Sequence, residues 1–184
     1  MIIKKKIYLI PVFIIAMFSL SSCDQEQDDS LDPRPLLVNG QFMRMDILQN
    51  RMNANDLANA YFGGPLTNPS HTVVRYELFL RVTRGGALLS EYIPYDVLTS
   101  FPQDLIITPV KIEQAYNDFG LNIAPLRDGD QIRFIAYSYD SAGNKVGYGN
   151  LSRTVQVEAG YKQAYRFNFI VTTNLTSTVN NYEP

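Results

Sequence analysis

The sequence predicts an all-β domain, a small single antiparallel sandwich carrying one short helix at about residues 109–119. Three observations lead there. Residues 72–83 and 131–139 alternate along their length and are rich in β-branched and aromatic side chains. Polar clusters that contain glycine, Asp128-Gly129-Asp130 and Asp140-Ser-Ala-Gly-Asn144, bracket the second of these runs and mark a hairpin over 128–149. Only one stretch carries both a start and a stop signal for a helix: Thr108 can cap, Pro109 suits the first turn, and Gly120 ends it.

The elements follow in order. Lys4, Lys5 and Lys6 precede an apolar run over 7–18 that is broken by Pro11 and ends in Leu20-Ser21-Ser22-Cys23. A basic start followed by an apolar stretch too short to span a bilayer is the pattern of a signal peptide over 1–22. Its end resembles a bacterial lipobox, with Leu20 three positions before Cys23. That resemblance implies cleavage before Cys23 and lipidation of its sulfur, and so membrane attachment through the N-terminal lipid; the alternative is an unmodified Cys23 near an ordinary cleavage site. Cys23 is the one cysteine of the 184 residues, so no intramolecular disulfide can form. Losing 1–22 removes three lysines and no acid, which moves the formal charge from −2 to −5. An acidic mature chain argues against nucleic-acid binding. Residues 23–35 are acidic and polar, end in proline, and read as a flexible tether.

Residues 36–173 carry the domain. A first strand is expected within 36–48, and Gly63-Gly64-Pro65 and Asn68-Pro69 break the chain after it. Along 72–83, Val74, Tyr76, Leu78, Leu80 and Val82 form a core face, with Arg75, Glu77, Phe79 and Arg81 opposite. Arg84-Gly85-Gly86 turns the chain toward a partner over 87–92, and residues 93–107, interrupted by two prolines, read as irregular. After the helix and the central hairpin, 150–158 and 162–173 are expected to pair as the last two strands. Residues 174–184 read as a loose polar tail.

The hairpin at 131–157, with its Tyr139-Asp140-Ser-Ala-Gly-Asn144 turn, resembles the last hairpin of fibronectin type III and other bacterial immunoglobulin-like domains. Asp118-Phe119-Gly120, followed by Leu126-x-Asp128-Gly129-Asp130, resembles a pattern in Bacteroidota lipoproteins, and acidic Asp24, Glu26, Asp28 and Asp29 after Cys23 resemble their surface-export signal. The resemblance implies an outer-membrane lipoprotein, lipid-anchored and facing the cell surface. It also implies company with TonB-dependent importers of the starch-utilisation type. Asp29-Ser30-Leu31 and Asp140-Ser141-Ala142 resemble the acceptor sequence for O-glycosylation in that group, at Ser30 and Ser141.

No motif names a reaction. His71, the one histidine, falls in a loop, and no Gly-x-Ser-x-Gly elbow is present. One Cys and one His do not make a zinc site, and no cofactor is expected. Asp118, Asp128, Asp130 and Asp140 are candidates for paired carboxylates or calcium ligands, but Asp-Gly-Asp before a strand reads first as a turn. Aromatic rings remain. Tyr137 and Tyr139 share the second face of their strand, Phe79 adds to it from a neighbouring strand, and Tyr148 and Tyr161 stand at turns. Either the helix or residues 93–107 cover this stripe, or it faces solvent and contacts a glycan or an outer-membrane importer complex.

Overall fold

The computed structural model describes residues 40–176 together with 181 and 182. The expected signal peptide, Cys23, the expected tether and Ser30 lie outside the described residues. Packing divides the chain into Met1–Leu36 and Leu37–Pro184, and the described residues all belong to the second unit.

Among the described residues, ten strands and two α-helices make up that unit: β1 Arg44–Met45, β2 Met52–Asn53, β3 Phe62–Thr67, β4 Val73–Arg84, β5 Ala87–Leu88, β6 Ile93–Leu98, β7 Gln103–Ile107, α1 Pro109–Asp118, β8 Gln131–Asp140, β9 Lys145–Gly147, α2 Arg153–Val157 and β10 Arg166–Thr172. A three-stranded sheet runs β1-β3-β7, and a seven-stranded sheet runs β2-β10-β8-β4-β5, with β6 on β4 and β9 on β8. The fold is therefore mostly β, as expected. The larger sheet is mixed and not antiparallel throughout, because β2 runs parallel to β10 through Val171↔Met52 and Thr172↔Asn53.

β8 and β4 form the spine, paired in register from Arg75↔Tyr139 to Thr83↔Gln131. Their inward residues, Tyr76, Leu78, Leu80, Val82, Ile132, Phe134 and Ala136, are buried, as period-two alternation demands. Val74 departs from that pattern. A register shift between Val73 and Arg75 turns Val73 into the core and leaves Val74 47% exposed. The two sheets meet through rings: Phe62 of β3 stacks on Phe169 of β10 at 4.2 Å and on Phe167 at 6.0 Å. Gly63 permits the tight β3–β7 pairing, since its φ is +132° and a Cβ there would lie 1.9 Å from the Leu105 carbonyl oxygen.

The helix forms where its caps predict. The Thr108 side chain accepts from the Lys111 N–H at 3.3 Å, Pro109 occupies the first turn, and Gly120 follows with φ +77°. Ile112 and Tyr116 point into the core, and the Tyr116 hydroxyl accepts the Val82 N–H at 2.9 Å. That N–H belongs to β4 between the segments that β6 and β5 pair, so the tyrosine satisfies a buried donor the sheet leaves open.

Four expectations are corrected. Residues 93–107 are two strands. Pro94 is accommodated on the edge strand β6, where a register shift also falls, and β7 pairs with β3. Residues 150–158 are not the partner of the last strand. β10 occupies the edge of β8 from Gln131 to Ile135, so β9 pairs only as far as Gly147 and the chain leaves the sheet. It then turns through Tyr148–Asn150 into α2, a second short helix whose Ser152 side chain accepts from the Val155 N–H at 3.4 Å. The expected first strand shrinks to β1. The tail is tied down at Asn181 and Tyr182: the Asn181 carbonyl accepts from Asn168 N–H at 2.9 Å, its amide donates to the Asn50 carbonyl at 2.7 Å, and Tyr182 donates to the Met45 carbonyl at 2.8 Å.

Candidate functional site: the open face of the larger sheet

Cross-strand register arranges the outward side chains of the larger sheet in rows. Tyr139 pairs with Arg75 and Lys145, Tyr137 with Glu77 and Gly147, Ile135 with Phe79 and Arg166, and Arg133 with Arg81 and Asn168. Phe79 and Tyr137 meet edge to face at 5.8 Å and 74°. The stripe is half exposed. β6 extends the sheet sideways by pairing with β4 and does not lie over the face. α1 sends Ile112, Ala115 and Tyr116 into the core. Phe79, Tyr137 and Tyr139 are thus half buried, neither in the core nor fully exposed.

The rings are not bare. The Lys145 ammonium sits 3.6 Å from the centroid of Tyr137, and the Arg75 guanidinium 4.1 Å from that of Tyr139. The Tyr137 ring also lies against Gly147, where a Cβ would come within 2.8 Å of it. Glu77 ties the upper rows together. It accepts from the Tyr139 hydroxyl at 2.9 Å and forms an ion pair with the Arg75 Nε at 3.3 Å. Partial burial, then the Glu77 carboxylate that takes its hydrogen bond, raise the Tyr139 phenol above its ordinary value. At the β6 edge, Phe79, Pro94 and Val97 border a depression of about 510 Å³ that Asp118 and Phe119 close from the helix side.

Tyr148 does not project. Its ring is half buried beneath the Arg166 guanidinium, 5.3 Å away. Tyr161 is 42% exposed in a 3-10 turn, and among the described residues no ring pair joins it to the stripe. Ser141 is exposed in the β8–β9 turn. Sequence reasoning missed the cations. Alternation puts Arg75 and Arg81 on the wet face of β4, but that Arg133, Lys145 and Arg166 rise beside them depends on register, which no single strand discloses.

The acidic candidates resolve into structural roles. Asp130 is buried in an ion pair with Arg84 at 2.7 Å and accepts the Arg127 N–H at 3.0 Å. Asp128 accepts the Thr173 N–H at 2.8 Å. Asp140 closes its turn, accepting from the Ala142 and Asn144 N–H groups at 2.9 Å. Asp118 lines the helix side of the depression. Among the described residues no group of three or more His, Cys, Asp or Glu is placed to hold a metal ion, and no helix is long and apolar enough to cross a membrane. His71 is exposed in its loop with φ +57°. No protein-family model matches the chain, and no curated protein matches it at a significant level.

Proposed function

We propose that the protein is a non-catalytic lipoprotein of the outer-membrane surface, anchored through Cys23, whose immunoglobulin-like β-sandwich serves as the glycan-contacting accessory module of a nutrient-uptake system. The observation that carries this reading is the half-exposed stripe of Phe79, Tyr137 and Tyr139 on a sheet face that neither β6 nor α1 covers. Two sheets joined through stacked phenylalanines support the sandwich, and the parallel β2–β10 pair sets it apart from a regular immunoglobulin domain. The lipobox-like Leu20-Ser21-Ser22-Cys23 supports the anchor, and a Cys23→Ala change that left processing and membrane attachment intact would remove it. Affinity electrophoresis against a panel of polysaccharides tests the module: retardation by at least one polymer is expected. Tyr137→Ala with Tyr139→Ala should weaken that retardation while the β-rich dichroism spectrum persists.

A second reading, a structural subunit docking onto an outer-membrane protein complex, draws on exposed Val97, Val110 and Phe119, which are 57%, 69% and 55% exposed along β6 and at α1. Isolation of the native lipoprotein in mild detergent separates the two, because a subunit elutes with its complex and an accessory binder elutes alone.

A further inference from the structure

β3 ends at Thr67 and β4 starts at Val73, while β6 ends at Leu98 and β7 starts at Gln103. Both connecting loops, 68–72 and 99–102, pass from one sheet to the other, and together they border a cleft of about 620 Å³. That is an ordinary size for a small-molecule site. We infer that this cleft binds one unit of a neutral polysaccharide through the Phe101 ring and the side chains of His71, Thr99 and Ser100. The inference rests on the glycan-binding reading, to which it adds a second contact site and a substrate class.

Charge is missing from the lining. The chain has 16 basic and 18 acidic residues, yet no Asp, Glu, Lys or Arg lines the cleft. A charged ligand would lose water there and meet no countercharge. The lining instead combines apolar Phe101, Val74 and Pro102 with polar His71, Thr99 and Ser100. Those three polar residues are exposed, and among the described residues no hydrogen bond engages their side chains. Hydroxyl and imidazole groups both donate and accept, which matches the hydroxyls of a sugar. A lipid chain would leave them unmatched.

Phe101 supplies a plane to stack on. It is half buried and packs against the core, and among the described residues no ring or cation pairs with it. Tyr137 and Tyr139, by contrast, carry Lys145 and Arg75 over their rings. An aromatic face is attracted to the weakly positive C–H edge of a neighbour, and a sugar ring presents such an edge.

Two departures from local expectation meet in the same place. The register shift between Val73 and Arg75 turns Val74 out of the core and into the cleft lining, and bulges re-aim side chains beside binding sites. His71 is held at φ +57°, which is uncommon for a residue with a Cβ. Its loop is fixed from within. The Asn68 amide donates to the Val73 carbonyl at 3.0 Å and its oxygen accepts from the Ser70 hydroxyl at 2.9 Å, while the Thr72 hydroxyl donates to the Gly40 carbonyl at 2.9 Å. A site ordered before its ligand arrives loses less entropy on binding. Phe79 lies further along β4, ~17 Å from Val74, so an extended polymer reaches both the cleft and the stripe.

The full-length lipoprotein in mild detergent is run by affinity electrophoresis in gels containing pullulan, galactomannan, mixed-linkage β-glucan or polygalacturonate. A casein digest serves as a peptide competitor. Retardation is expected with at least one of the neutral polymers, and it should hold as salt rises, since no charge pair is screened. Thr99→Val/Ser100→Ala should weaken it about fivefold through lost hydrogen bonds, and Phe101→Leu about tenfold through the lost ring. His71→Gly, which suits the left-handed backbone, should weaken it as well. Residues 71, 99 and 100 are exposed, so their variants report on binding even if Phe101→Leu fails to fold. Arg153→Gln, outside the lining, should bind as the wild type does. Retardation by polygalacturonate alone, undiminished retardation of the folded cleft variants, or equal competition by the casein digest overturns the inference. Each of these still shows retardation and leaves the glycan-binding reading standing; retardation by no polymer ends both.

Discussion

Gly147 is the position where a single hydrogen atom decides the geometry of the open face. Its lack of a side chain lets the Tyr137 ring lie flat across β9, and the ring then positions Lys145. Gly147→Ala puts a Cβ within 2.8 Å of that ring. The ring is only half buried and swings outward, so the cost should stay near about 1 kcal/mol, the low end for overpacking. At this domain size that corresponds to a fall in Tm of about 2–4 °C, readable by calorimetry. A second residue-scale case lies at the β1 end. Asp46 accepts from the Lys162 ammonium and from Arg44 at 3.1 Å. Its carboxyl is held below the ordinary value of 3.8, first by the Lys162 hydrogen bond and against the opposing effect of burial. A depressed carboxyl adds stability that is fully present above the unfolded value and is lost as the pH falls through the folded one. Because the groups are partly wet, the contribution near neutral pH should be under about 1 kcal/mol. Urea denaturation of Lys162→Met is expected to show a deficit at pH 7 that closes below about pH 4. A deficit that persisted into acid would mean that Lys162 acts through packing.

At the scale of elements, local signals succeeded where the chain decides its own conformation. The caps of α1 at Thr108 and Gly120, the Asp140–Asn144 turn and the alternation of β8 were all legible, because each is settled within a few residues. Failure came where a neighbour decides. Residues 153–157, Arg-Thr-Val-Gln-Val, carry strand-forming side chains, yet β10 already holds the edge they needed. Pro94 hid β6 because a proline speaks against a strand, except on an edge such as the one β6 provides. The aromatic stripe was legible for the same reason as β8, from period-two spacing alone. The cations facing it were not, since cross-strand register assembles them from four strands. α1 also performs a task that only the assembled fold reveals, closing the gap in the β4 edge with the Tyr116 hydroxyl. That hydroxyl also bonds Ser90 at 2.9 Å. Tyr116→Phe keeps the ring and strands the buried Val82 N–H, so it should cost about 1–3 kcal/mol. Hydrogen exchange should quicken at Val82 while the helix amides stay protected.

Across the whole molecule the two faces of the larger sheet answer to different demands. Its inner face is settled by packing: Phe62 of the smaller sheet stacks on Phe169 and Phe167 and ties the sheets together, and the Tyr165 phenol, pushed up to about 12 by burial, stays neutral beside Ser138. The outer face is set by register, which places Arg81 of β4 directly opposite Arg133 of β8. Arg81→Gln tests what holds Arg81 there. It removes the buried Nε without a hydrogen-bond partner, at the loss of a cation–ring contact on Tyr92 of about 0.5–1 kcal/mol. A buried donor left unmet costs about 1–3 kcal/mol, so Tm should hold steady or rise by about 2–4 °C. A variant that melts lower than wild type would show that Arg81 is kept for its packing on Tyr92.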